Sequence, residues 1–213
     1  MVDVPPTLPA QVYLLAYDPV RGRLTASGHL GYVLRGAALA ELLAGGHLTD
    51  VGGRPRVDAV LRSPADPVLA QVLGEIARAR PRSWSHWVGH RVGATKRAVT
   101  ERMVADGWIE LSRRRVLGLV PWTTVTVRRP RAVTALAERV RRALAGSTPV
   151  SKVDPSDAML VALASAGELA TVLPRATRKE HKDRIAALIE TSGPVAPAVR
   201  KAIQWANAAA AGA

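Results

Sequence analysis

Apolar and polar positions alternate along this chain with a period that changes several times, and each change marks an element. Gln11-Val-Tyr-Leu-Leu-Ala-Tyr17 is a short apolar run ending at Asp18-Pro19 and Arg21-Gly22, which predicts a strand followed by a turn. From His29 to Leu43 the spacing becomes helical. Leu30, Leu34, Ala38 and Leu42 form one stripe, and Leu39 and Leu43 widen it. Gly45-Gly46 closes this helix, because glycine accepts the left-handed conformation common at helix ends. His47–Val51 and Arg56–Leu61, joined through Gly52-Gly53, predict a small hairpin. Ser63 and Asp66-Pro67 then open a second helix that runs to about Ala79.

Pro81 interrupts the pattern, and Ser83-Trp-Ser-His-Trp87 starts a short helix. Gly93 is expected to separate it from a helix over Ala94–Ala105, with Val99, Met103 and Val104 facing inward. Asp106-Gly107 ends that helix. Trp108–Leu111, a cationic turn at Arg113-Arg114-Arg115 and Val116–Val120 follow, with a further strand over Thr123–Val127. Helix, strand, basic turn, strand is the plan of a winged helix. Beyond it, Ala132–Leu144 is amphipathic, with Val133, Leu136, Val140 and Leu144 inward and Glu138, Arg139, Arg141 and Arg142 outward. Asp154-Pro155 opens an almost wholly apolar helix over Ala158–Leu173, ended by Pro174, that belongs inside a bundle. Amphipathic helices over Thr177–Glu190 and Val195–Asn207 complete the pattern. With no internal repeat and no linker, the expectation is mainly α: a single helical-bundle domain over 1–213 with small β elements, and flexible tails at 1–10 and 208–213.

Composition narrows the function classes. Of 213 residues, 48% are apolar and the mean hydropathy is +0.06, which fits neither a disordered polymer nor a membrane-embedded chain. The absence of cysteine excludes disulfides, thiolate zinc sites and a cysteine nucleophile. The uncharged stretch Ala158–Gly167 covers about half a bilayer. No basic-then-apolar leader opens the chain, so the expectation is a cytoplasmic protein. No phosphate-binding glycine loop and no Gly-x-Ser-x-Gly elbow occurs. His86 and His90 stand four apart, the spacing of two metal ligands, but without an intervening glutamate or a third ligand, so no metal site and no cofactor are expected. Asp154 and Asp157 read as helix N-terminal charges. Nothing here has the look of an enzyme.

Charge changes the picture further. The net formal charge is +13, from 30 Lys+Arg against 17 Asp+Glu. Residues 1–77 hold 6 basic and 7 acidic side chains, residues 78–142 hold 16 and 4, and residues 143–213 hold 8 and 6. The excess is therefore in the middle third, where like charges repel unless an anionic partner arrives. A solvated surface in an arginine-rich composition is the plain alternative. Arg35 is informative because it interrupts an apolar helix: its guanidinium must leave the core, pair with Glu41 or another acid, or meet an external anion.

The run Leu30–Leu48 resembles the Golgi phosphoprotein 3 family (the vacuolar protein sorting 74 family of yeast). Leu14-Leu-Ala-Tyr-Asp18 fits its Leu-Leu-Ala-Leu-Asp segment, and Leu34-Arg-Gly-Ala-Ala-Leu-Ala-Glu-Leu42 fits its Leu-Arg-Gly-x-x-Leu-x-Glu-Leu helix. Lys96–Gly107 is similar to the family's basic helix, and Pro155–Ala170 resembles its core helix. The abundance of arginine and alanine points to a high-GC bacterial member of actinobacterial type. The resemblance implies a mainly α-helical, non-enzymatic adaptor. It also implies binding of phosphatidylinositol 4-phosphate at a membrane, here on its inner face, and of client proteins. Its head-group pocket uses a tryptophan, the Leu-Arg-Gly arginine and two cations one turn apart. Arg35 and Lys96 match two of these. The tryptophan position falls near Ala26 and the other cation on Gly93, with Arg91 and Arg97 close enough to substitute. The family's oligomerising hairpin looks shortened around Val51–Val57.

The residues support anion binding independently. Several cations converging on a small site grip phosphate oxygens, arginine two at a time. A diffuse basic surface, here including Arg113, Arg114 and Arg115, adds attraction to an anionic leaflet. Trp84 and Trp87 are either interfacial anchors or core fillers in a chain with no phenylalanine. Two other readings stand beside this one. One is a winged-helix nucleic-acid binder with residues 93–107 as recognition helix, although Glu101 and Asp106 would oppose phosphates there. The other is a protein-recruiting scaffold that binds no lipid.

Overall fold

The structure is a computed structural model. It describes residues 2–212 except Ser27, Ala59, 117–119 and Ser147, and gives only the backbone for 113–116 and 120–123. The chain is 60% helical, with small antiparallel two-stranded sheets, as the pattern of apolar positions requires. In chain order the described elements are α1 (Leu8–Leu15), β1 (Tyr17–Asp18), β2 (Arg23–Leu24), α2 (Leu30–Ala44), β3 (Leu48–Asp50) and β4 (Pro55–Val57). They continue with α3 (Pro67–Ala77), α4 (Trp84–Gly89), α5 (Val92–Ala105), β5 (Ile109–Val116) and β6 (Val120–Val127). The C-terminal part is α6 (Pro130–Ala145), a 3-10 turn over Val150–Lys152, α7 (Pro155–Ala166), α8 (Arg175–Glu180), α9 (Lys182–Thr191) and α10 (Val195–Ala211).

α2 is the axis of the molecule. Eleven of its fifteen residues are buried, and α1, α3, α4, α5, α7 and α10 all pack against it. Such crowding requires small residues at the crossings. A Cβ on Gly36 would collide with the Val199 side chain of α10, and one on Gly167 with Val33 of α2. α7 has the other nearly all-round apolar surface, buried continuously from Leu160 to Ala166. The core is one connected cluster reaching from Ala10 in α1 to Ile203 in α10.

Several expectations are corrected. The run at 11–17 is helical through Leu15, and only Tyr17 belongs to a strand, the two-residue β1. Pro9 suits a first helical turn, and the otherwise unpaired Leu8 N–H donates to Glu41 Oε2 at 2.7 Å. Nearly every face of α1 is buried, so its apolar run carries no period from which a helix could be read. Residues 8–10 begin α1 and residues 208–211 end α10. The break before α5 is at Arg91, held at φ +51°, while Gly93 is inside the helix. Arg113–Arg115 lie within β5 and not in a turn; β5 pairs with β6 from Ile109↔Val127 to Val116↔Val120. The apolar helix stops at Ala166, seven residues early, where Glu168 takes φ +51°. The expected helix over 177–190 is two, α8 and α9, divided at His181.

Candidate functional site

Arg35 organises the region where α2, α3, α4 and α5 meet. Its side chain is 0% exposed. Nε donates to the Trp87 carbonyl at 3.1 Å, Nη1 to Thr95 Oγ1 at 3.3 Å and Nη2 to Glu75 Oε2 at 2.7 Å. The Trp87 carbonyl belongs to the last turn of α4; it also accepts from the His90 N–H at 3.3 Å, and a cation is favoured there by the helix dipole. One guanidinium thus caps α4, fixes the first turn of α5 through Thr95 and neutralises an acid of α3. Arg35 stays in the core and pairs with an acid of its own chain, Glu75 rather than Glu41.

Glu75 connects this buried arginine to the surface. Its Oε1 accepts from Gln71 Nε2 at 3.2 Å and from Arg91 Nη1 at 3.5 Å. Burial would push its carboxyl up, but the hydrogen bond and charge of Arg35, with help from Gln71 and Arg91, hold it below its ordinary value. His90 shows the opposite field. Burial, then the positive charge of Arg35, push its imidazole down, and only Glu75 opposes.

The sequence-predicted cations divide into two kinds. Arg91 is 57% exposed and shares Glu75 with Arg35. Lys96 follows Thr95, the hydroxyl that Arg35 holds, and is half-buried. Arg97 is 75% exposed and stands 4.0 Å from Glu101, an exposed pair of little energetic weight. Arg35 and Arg91 thus meet at Glu75, while Lys96 and Arg97 follow Thr95 along α5. Arg113, Arg114 and Arg115 are placed on β5 by their backbone, and the expected phosphate contacts fall on side chains outside the described residues.

Other candidates resolve structurally. Trp84 and Trp87 are core residues, 3% and 2% exposed, and Trp84 Nε1 donates to Asp50 Oδ1 at 2.8 Å. The His86 and His90 rings stack at 5.8 Å, and among the described residues no group of three His, Asp or Glu could hold a metal. Asp154 caps α7 by accepting from Ser156 N–H, and Asp157 pairs with Arg139. Sequence reasoning missed Glu75 and Thr95. Glu75 follows Val72 and Leu73 and precedes Ile76 on α3, a charge beside the apolar stripe that could have been paired with the charge interrupting α2.

Among the described residues no helix is long and apolar enough to cross a membrane. No curated protein matches the chain. The Golgi phosphoprotein 3 family model (GPP34) matches residues 8–206, from the first turn of α1 to within five residues of the end of α10. The match takes in every element that positions Arg35, Glu75, Arg91 and Lys96, and by it the chain belongs to the Golgi phosphoprotein 3 family.

Proposed function

We propose that this chain is a single-domain, non-enzymatic peripheral adaptor that docks on the cytoplasmic face of a membrane by binding an anionic, phosphorylated lipid head group of the phosphatidylinositol 4-phosphate type. Family membership is consistent with the adaptor role. The observation that carries the lipid reading is the Arg35–Glu75–Arg91 chain. Glu75 is shared between the buried Arg35 and the exposed Arg91, which leaves one positive charge in excess there, beside Lys96 and the loosely paired Arg97. The His90 imidazole nearby is depressed by burial first and then by the charge of Arg35. Arg35, fully enclosed, is here a positioning residue: it fixes α4 against α5 and thereby the spacing of the outer cations. Head-group contact belongs to Arg91, Lys96 and Arg97.

Each of these cations is expected to add about 1 kcal/mol near an anionic leaflet, a factor of about five in binding. The test is co-sedimentation with phosphatidylcholine vesicles carrying phosphatidylinositol 4-phosphate or phosphatidylglycerol, beside gel shifts with random duplex DNA at matched salt. Lys96→Ala and Arg97→Ala should each weaken vesicle binding without lowering the melting temperature. Parent-like sedimentation of both, or tighter binding to DNA than to any vesicle, would sink the reading.

A further inference from the structure

Away from α5, a cavity of about 430 Å³ opens between the end of α7, the start of α2 and helices α8, α9 and α10. Its volume is that of a small-molecule site. Three helices each contribute one cation to its wall: Arg178 from α8, Lys182 from α9 and Arg200 from α10. Glu168 is the one carboxylate among the lining residues. It meets Arg178 only at 4.0 Å and is itself 70% exposed. Lys182 and Arg200 enter no ion pair among the described residues, and Arg178 Nη1 is a buried donor without an acceptor.

Physical chemistry makes this arrangement incomplete. A buried N–H without an acceptor is disfavoured, and like charges around one concavity raise each other's energy until a counter-charge enters. A guanidinium offers a planar fork of donors that matches two phosphate oxygens, while an ammonium supplies a compact point charge beside it. At the far wall, His29 Nε2 and Asn207 Oδ1 stand 3.0 Å apart, joining the start of α2 to the last turns of α10 and closing that side.

We propose that this cavity binds a phosphate-bearing ligand, held by Arg178, Lys182 and Arg200. None of these residues lies on α5, so this site and the α5 surface stand or fall separately. The phosphate can come from a soluble phosphorylated compound or from a phospholipid head group, and two probes distinguish them. Calorimetric titration with inorganic pyrophosphate tests the first, and co-sedimentation with vesicles of phosphatidylcholine and phosphatidic acid tests the second.

For the exposed residues, Lys182→Gln and Arg200→Gln should each raise the pyrophosphate Kd about tenfold, about 1.4 kcal/mol. Arg54→Gln, which removes one charge at the tip of the β3–β4 hairpin, should leave it unchanged. Arg178→Gln should do the same as the other two if its melting temperature holds. Loss of phosphatidic-acid binding in the two exposed variants, with no pyrophosphate binding by the parent, assigns the site to a head group. If neither probe responds to Lys182 or Arg200, or if Arg54→Gln weakens binding equally, the proposal is overturned.

Discussion

Arg35 is the residue on which the local architecture turns. Its three hydrogen bonds run to three different helices, and its partner Glu75 is only 11% exposed. Breaking such a pair leaves Glu75, mostly enclosed, with only Gln71 and the exposed Arg91 as partners. Arg35→Met is therefore expected to cost about 3–5 kcal/mol in urea unfolding, with part of the loss recovered in Arg35→Met/Glu75→Gln. A double variant no more stable than the single would show that the pair carries no such energy. The sequence marks Arg35 as a charge that must find an anion, but the anion lies 40 residues away, and only tertiary packing selects Glu75 over Glu41. The same cluster sets a pH dependence. The His90 imidazole is depressed in the fold, so as pH falls the unfolded chain takes up that proton first. Glu75, also depressed, contributes stability that is present above its unfolded value and lost as pH drops through its folded one. The melting temperature should decline from about pH 7 to about pH 5, and His90→Gln should flatten that limb. A limb unchanged in the variant would remove His90 from the account.

At the level of elements, α2, α3 and α6 are legible from sequence, whereas α1 and the end of α7 are not. α6, with a clean inward stripe of Leu136, Val140 and Leu144, lies where its periodicity puts it. α3 begins where Asp66 is expected to cap it, with Oδ1 accepting from Val68 and Leu69 N–H. α1 is buried on nearly all sides and mimics a strand in pattern, while α7 runs into an apolar tail that belongs to the following turns. The break at Arg91 is invisible for another reason: an arginine in the left-handed region is stabilised by its surroundings, here by Glu75, and not by any propensity of its own. The close crossing of α2 and α10 makes an expectation of its own. Gly36→Ala forces Val199 to move and should cost about 1–3 kcal/mol, with Gly36→Ala/Val199→Ala recovering part of it in thermal melts. An additive or worse double variant would show that the two helices are not held by that contact.

Over the whole molecule, the charge asymmetry that sequence alone displays acquires a place. The segment 78–142 carries 16 basic side chains against 4 acidic ones, and it contains α4, α5, β5, β6 and most of α6. Internal pairs such as Arg102–Asp106, Arg128–Glu110 and Arg141–Glu138 absorb some of that charge, all of them at the surface. At the start of α5, one carboxylate, Glu75, is shared between the buried Arg35 and the exposed Arg91. The proposed membrane binding would then be electrostatic, weaken as the Debye length shortens with salt, and depend on Arg91, Lys96 and Arg97 rather than on the net charge. Flotation of the parent and Lys96→Ala/Arg97→Ala with phosphatidylinositol 4-phosphate vesicles, at matched salt, is the most direct check. The double variant should bind roughly thirtyfold more weakly, about 2 kcal/mol, with an unchanged melting temperature. Equal flotation of the two proteins would contradict an α5 surface that holds the membrane.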